Sequence, residues 1–441
     1  MNTPLASFLD AYAQKGALRL HMPGHKGKLD PSDITEIPGA DVLYCARGAI
    51  RESEENAARL FGAARTFYSA EGSSLCIRAM LAAARSWAEK EKLPRKILAL
   101  RNAHQSFLTA AALLDLEIAW LLPENSTLLS CPLTPEALEN ALERERVFAV
   151  YLTSPDYLGA LLPIASLARV CREKGVLLLC DNAHGAYLRF LPGDLHPLTL
   201  GADLSCDSAH KTLSALTGAA YLHVSPSAPS YFCEAMEKYL ALFASTSPSY
   251  LILRSLDLLN ARLASDFRQL LAAFLPAVDS LKESLRSLGF SLLGDEPLKL
   301  TLAPRSYGYT GREVFSYLRE NGVEPEMADG DVLVLMFTPE NGASAPGRVW
   351  ELMKNLPRRA ALASSAPPLP PPGKAYLSPR EALLAPSRRV PLSRALGAVL
   401  ASPCVSCPPA VPVALCGERL TQVHLDLFAY YGVDEVEIAD L

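Results

Sequence analysis

Four short stretches carry residues whose types and spacing could do chemistry. Asp181 directly follows the apolar run Val-Leu-Leu-Leu-Cys, with His184 three residues on in Asp-Asn-Ala-His-Gly-Ala-Tyr. An acid at the carboxyl end of a buried strand stands where open α/β sheets bind ligands. Lys211 lies thirty residues after Asp181, about one βα unit, in Asp-Ser-Ala-His-Lys-Thr-Leu. Gly72, Ser73 and Ser74 open the first long helical stretch, where amides and hydroxyls can cradle a phosphate. His104 follows an apolar strand in Arg-Asn-Ala-His-Gln-Ser.

Each stretch has a plainer reading on its own. Asp181 could cap a helix, Gly-Ser-Ser is a common helix start, and single histidines and lysines are often unremarkable loop or surface residues. One cofactor uses all four together. Pyridoxal phosphate needs a lysine for its Schiff base, an acid for its ring nitrogen and a cradle for its phosphate. The acid keeps the ring protonated, so that the ring can take up electrons from a Cα carbanion, and an imidazole can stack on the ring face. The chain has neither a G-x-G-x-x-G after its first strand nor a G-x-x-x-x-G-K-[ST], so the dinucleotide and P-loop readings lose support. A G-x-S-x-G nucleophile elbow is also absent.

The elements that must position these residues alternate from about residue 70. Helices are expected over 74–90, 107–114, 135–144 and 164–174. Strands are expected over 96–100, 118–122, 147–152, 176–180, 202–206 and 219–224. Several strands are continuously apolar, which suits a mostly parallel sheet covered on both faces. The first 60 residues read as irregular, around Met22-Pro23-Gly24 and Ile37-Pro38-Gly39. Residues 250–288 read as mostly helical, a bridge between domains. A second α/β set follows: strand 298–302, helix 311–321, strand 332–337, helix 346–355. The expected organisation is an N-terminal segment (1–60), a large cofactor domain (61–250), a small α/β domain with its bridging helix (251–365), a proline-rich linker (366–375) and a C-terminal domain (376–441).

Composition limits the alternatives. The 441 residues carry 42 Lys and Arg against 47 Asp and Glu, a net charge of −5, and half are hydrophobic. That balance, with no long basic run, argues against a nucleic-acid partner. No apolar run approaches the roughly 18 residues of a membrane span, and the N-terminus lacks the pattern of a signal peptide. The ten cysteines lie mostly in apolar contexts, which suits reduced thiols in a cytoplasm. Cys404 and Cys407 form a single C-x-x-C with Cys416 nearby, and with no partner pair no metal is expected. Proline is in excess, with 34 in the chain and five at 367, 368, 370, 371 and 372.

The residues resemble the Orn/Lys/Arg decarboxylase family of fold-type-I pyridoxal-phosphate enzymes, most of all its short, Gram-positive-type members. The likeness begins at Leu-His-Met-Pro-Gly-His-Lys-Gly (20–27) and runs through 33–39, 51–56, 66–74, 101–106, 153–157 and 181–187 to the lysine motif 207–213. It implies a large α/β domain with a mostly parallel, seven-stranded-type sheet. Lys211 would hold the cofactor, Asp181 would pair with the ring nitrogen, His184 would sit near the ring and His104 would stack on it. Ser73, Ser74, Ser208 and His210 would contact the phosphate. His25 would lie near a subunit boundary. With the motif starting at residue 20, no N-terminal wing domain is expected, and a homodimer or a small multiple of dimers is implied.

The resemblance implies decarboxylation of arginine, lysine or ornithine. Transamination or elimination remains open as a second reading, and a cofactor-binding protein without catalysis as a third. The C-terminal motif departs from the family's Tyr-Pro-Pro-Gly-Ile-Pro and Pro-Gly-Glu: here it reads Cys-Pro-Pro-Ala-Val-Pro (407–412) and Cys-Gly-Glu (416–418), with Ser402 where an acid usually stands. A distal ammonium or guanidinium needs an acidic partner when it leaves water, so the altered stretch leaves specificity open.

Overall fold

The computed structural model describes residues 1–371, 373, 375–403 and 410–441. Pro372, Cys404, Cys407, Pro408 and Pro409 lie outside the described residues. The chain divides into two compact units: residues 1–94, 147–154 and 164–270 form the first, and residues 95–146, 155–163 and 271–441 the second.

Five strands make the sheet of the first unit. Across it they run Arg65–Ser69, Ala220–Val224, Leu204–Asp207, Leu177–Asp181 and Ala149–Thr153. The last three pair in parallel, and Ala220–Val224 is antiparallel to both of its neighbours. Four of the five therefore share a direction, as the continuously apolar strands suggested. The strand Leu177–Asp181 is buried throughout, so an uninterrupted Leu-Leu-Leu-Cys run carries no polar face. The helix Gly72–Lys90 follows the first strand with only two residues between them.

The N-terminal 60 residues are not irregular throughout. Helices span Pro4–Gln14 and Ala49–Phe61. The first starts on a proline, which suits an initial helical position because the missing N–H has no partner to lose. It buries Leu5 and Leu9, one turn apart. The second buries Ile50, Ala57 and Phe61 and ends at Gly62, whose φ of +70° is the left-handed stop that glycine takes without strain. Proline-glycine turns between the two helices mask both in the sequence.

In the second unit, Lys96–Leu100 and Glu117–Leu121 pair in parallel around the helix Gln105–Leu113. A four-stranded antiparallel sheet follows, in the order Met327–Ala328, Leu333–Met336, Lys299–Ala303, Ser291–Leu293. The helix Gly311–Glu320 opens with a reciprocal cap between Thr310 and Glu313. Met327 and Val334 of the sheet share a buried cluster with Phe428 and Val436 of the C-terminal stretch. No helix among the described residues is long and apolar enough to cross a membrane.

Candidate active site

Asp181 and Asp207 end adjacent parallel strands, so both project from the same sheet edge. Carboxyl ends of parallel strands are where ligands meet this kind of sheet. Asp181 is only 2% exposed. The Tyr151 hydroxyl donates to its Oδ2 at 3.0 Å, and the Ala183 amide donates to Oδ1 at 3.2 Å. Its carboxylate is thus oriented before any ligand arrives. Burial, then the neighbouring Asp181, pushes the Tyr151 phenol well above its usual range, so it stays a donor.

Lys211 lies in the short helical turn Ala209–Thr212, and its Nζ is 3.2 Å from His184 Nε2. The hydroxyl of Ser208 donates to that of Ser73 at 2.8 Å, joining the lysine turn to the first turn of Gly72–Lys90. Gly72 sits at φ +70°, a conformation that strains residues with a side chain, and its amide donates to the Gly218 carbonyl at 2.7 Å. Ser74 is next in that turn. His210 points its Nδ1 at the Ala219 carbonyl, 2.9 Å away, and burial pushes its pKa down. The structure thus brings Lys211 to His184 and Ser73 to Ser208.

His104 belongs to the second unit, where it caps the helix Gln105–Leu113. Its Nδ1 accepts the Ser106 amide at 3.1 Å. The adjoining loop is clamped to the C-terminal stretch. The buried Arg101 donates to the Pro412 and Val413 carbonyls at 2.8 and 2.9 Å, and the Gln105 amide donates to the Ala410 carbonyl at 2.9 Å. Glu418 accepts the Gly373 and Leu415 amides. A Cβ on Gly417 would lie 2.0 Å from the Leu377 carbonyl oxygen, so Gly417 and Glu418 have structural reasons to be retained where the motif around them has changed.

Sequence reasoning missed several residues that surround the predicted ones. The sequence marks Asp207 only as the start of the lysine motif, yet its carboxylate is fully buried. Asn182 donates to its Oδ1 at 2.8 Å, His196 Nε2 lies 2.9 Å from Oδ2, and His223 Nε2 lies 3.3 Å from the same oxygen. Burial alone would raise its pKa, but the two imidazoles outweigh burial and hold it far below the usual carboxylate range. One signal was available: His223 interrupts the otherwise apolar run of the strand Ala220–Val224.

The residues fit pyridoxal phosphate. A pre-oriented buried carboxylate, a lysine beside an imidazole, and a pair of bonded hydroxyls at a helix start supply the donors and acceptors the cofactor needs. The fold is that of fold-type-I pyridoxal-phosphate enzymes. The chain belongs to the Orn/Lys/Arg decarboxylase family, whose major domain matches residues 28–293. It is 28% identical to an arginine decarboxylase of Bacillus subtilis, over 96% of this chain and 92% of the relative. It is 25% identical to one of Bacillus anthracis, over the same shares. Among solved structures, the lysine decarboxylase of Francisella novicida superposes with a TM-score of 0.80 at 16% identity, covering 99% of this chain and 81% of that one. The constitutive lysine decarboxylase of E. coli superposes at 0.77 and 18%, covering 100% and 82%.

Proposed function

We propose that the protein uses pyridoxal phosphate to decarboxylate a basic amino acid, with arginine the first substrate to test. The observation that carries this is the Lys211–His184 contact on the turn that follows Asp207, one strand over from the Tyr151-anchored Asp181. The arginine assignment is supported by the names of relatives that match nearly the whole chain.

Each residue has a defined task. Asp181 accepts a hydrogen bond from the protonated ring nitrogen, and Tyr151 keeps that carboxylate in line. Ser73, Ser74 and Ser208 offer hydroxyls to the phosphate, and His210 lies two residues beyond Ser208 in the lysine turn. Lys211 Nζ provides the covalent attachment and then stands ready to deliver a proton to the substrate Cα. His184 Nε2, at hydrogen-bond distance, fixes the lysine in position. The stacking role of His104 rests on the family resemblance. When bound, the cofactor supplies an electron sink for the pair left behind as the carboxylate departs as CO2.

The same reading includes a homodimer and a cytoplasmic setting. The free, mostly buried cysteines among the described residues support the latter. Exposed leucines at 18, 20 and 29, each more than 80% accessible, support a partner over the N-terminal arm. Replacing Lys211 by Ala is expected to abolish the visible absorbance of the cofactor-loaded protein. If that band survives Lys211→Ala unchanged, the lysine assignment is wrong.

A further inference from the structure

The group behind the sheet edge was not part of the expected site. Asp207 ends one strand, and Asn182 directly follows the neighbouring strand that ends in Asp181. Their side chains meet at 2.8 Å. His196 is fixed in one tautomer, because its Nδ1 accepts the Leu198 amide at 3.2 Å. Its Nε2 therefore carries the proton and donates to Asp207 Oδ2. His223 holds its Nδ1 2.8 Å from the Thr66 hydroxyl and turns Nε2 toward the same carboxylate. Both imidazoles and the carboxylate are inaccessible to solvent. Phe61 lies against both rings, with centroids 5.5 and 4.4 Å away.

A buried carboxylate is tolerated only when its oxygens are met by well-placed donors. Here Asn182 and His196 donate from two directions and the His223 ring lies close on a third. The acceptor immediately precedes Ser208 and lies four residues before Lys211. We propose that Asp207 is a positioning residue: with Asn182, His196 and His223 it locks the strand ends that carry Asp181 and Lys211 into one register. The lysine nitrogen and the ring-binding acid are then set at a fixed spacing before cofactor arrives. This inference rests on the pyridoxal-phosphate reading of the site.

The side chains of His196, Asp207 and His223 are also of metal-ligating type and lie close enough to share an ion. The tautomer of His196 favours the hydrogen-bonded reading, since its Nε2 is occupied by a proton. The two readings give different results on test.

The experiment compares wild type with Asp207→Asn, and with Asn182→Asp/Asp207→Asn, by titration of pyridoxal 5′-phosphate into the apo chain. It also follows the pH midpoint of the visible band. In the single variant the charge is gone, and the amide N–H2 either faces the fixed donor His196 or forces Asn182 to turn its amide over and present its oxygen. Loss of about ten-fold or more in cofactor affinity is expected, together with a shifted pH midpoint. In the double variant each donor again meets an acceptor, so affinity and midpoint are expected to return most of the way. A merely structural role would lower thermal stability and leave the midpoint of the folded protein unmoved.

Should Asp207→Asn fail to fold, His196→Asn is measured instead. It can still accept the Leu198 amide but cannot reach Asp207, and a loss of at least about three-fold in affinity is expected. Unchanged affinity and midpoint in the folded variants overturn the proposal. So does a stoichiometric metal in the wild type that Asp207→Asn removes. A wild-type chain that takes up no pyridoxal phosphate overturns both this proposal and the cofactor reading beneath it, whereas normal uptake without amino-acid turnover leaves this proposal standing alone.

Discussion

Asp181 is gripped at both oxygens, and that grip decides what its replacement does. Asp181→Asn removes the charge that holds a proton on the ring nitrogen, and kcat is expected to fall by on the order of 100-fold or more. Tyr151→Phe keeps the charge but leaves Oδ2 without the phenol's hydrogen bond. It is expected to lower stability by about 1 kcal/mol and kcat far less than Asp181→Asn does. Urea unfolding and steady-state kinetics of the two variants check both statements. A Tyr151→Phe enzyme as impaired as Asp181→Asn would move the phenol from an anchoring to a direct role. Asp181 was legible as a candidate because an apolar run stops at it, Ser73 because it opens a long helical stretch, and Lys211 because it stands one βα unit after Asp181 in its own motif. Tyr151, His196 and His223 were not. They are scattered through the sequence among strand and loop residues, and their partners are fixed only when the sheet assembles.

At the scale of elements, the helix Ala49–Phe61 carries a buried acid. Glu54 accepts the Tyr68 amide at 3.0 Å. Burial pushes its carboxyl from an ordinary 4.5 up to about 8. The unfolded chain releases this proton near 4.5, while the folded chain keeps it until about 8. Its contribution to stability is therefore intact below the lower value and is lost as pH rises through the upper one. Glu54→Gln keeps an acceptor for Tyr68 and cannot ionise. Its Tm is expected to overtake that of wild type as pH rises toward about 8–9; parallel pH profiles of Tm for the two proteins would contradict this.

The C-terminal clamp is a second case at this scale. Arg101→Ala would orphan two buried carbonyls, at a cost of about 2–4 kcal/mol in urea unfolding. Arg101→Lys is not expected to restore the loss, because two separate guanidinium nitrogens hold two separate carbonyls. Full recovery with lysine would rule out that two-pronged grip. The strands and helices that the sequence pattern did mark from 72 onward fall within a few residues of the observed ones, since their apolar runs end sharply. The pattern passed over the helices Tyr231–Phe243 and Gln422–Tyr430 and the strands Ser291–Leu293, Ser387–Pro391 and Glu435–Ala439. It missed Pro4–Gln14 and Ala49–Phe61 because charge and proline-glycine turns dilute their buried faces.

For the whole molecule, the N-terminal arm between those two helices exposes Leu18, Leu20 and Leu29, an apolar display that a lone chain gains nothing by presenting. Sedimentation is expected to give a dimer, and Leu18→Ser/Leu20→Ser/Leu29→Ser is expected to shift it toward monomer. A wild-type monomer would remove this part of the account. The family and its cofactor chemistry were legible from motifs spread along the chain. Substrate choice was not, because the stretch that departs from the family pattern offers Ser402 in place of an acid, and which side chains meet a distal guanidinium is a tertiary property.

The most direct test of the central claim is to give the purified, pyridoxal-phosphate-loaded chain arginine, lysine and ornithine in turn and to measure CO2 against keto acid. Equimolar CO2 and amine from at least one of the three, abolished in Lys211→Ala, is the predicted result. Keto acid without CO2, or no turnover of any of the three by a protein that binds the cofactor normally, would contradict it.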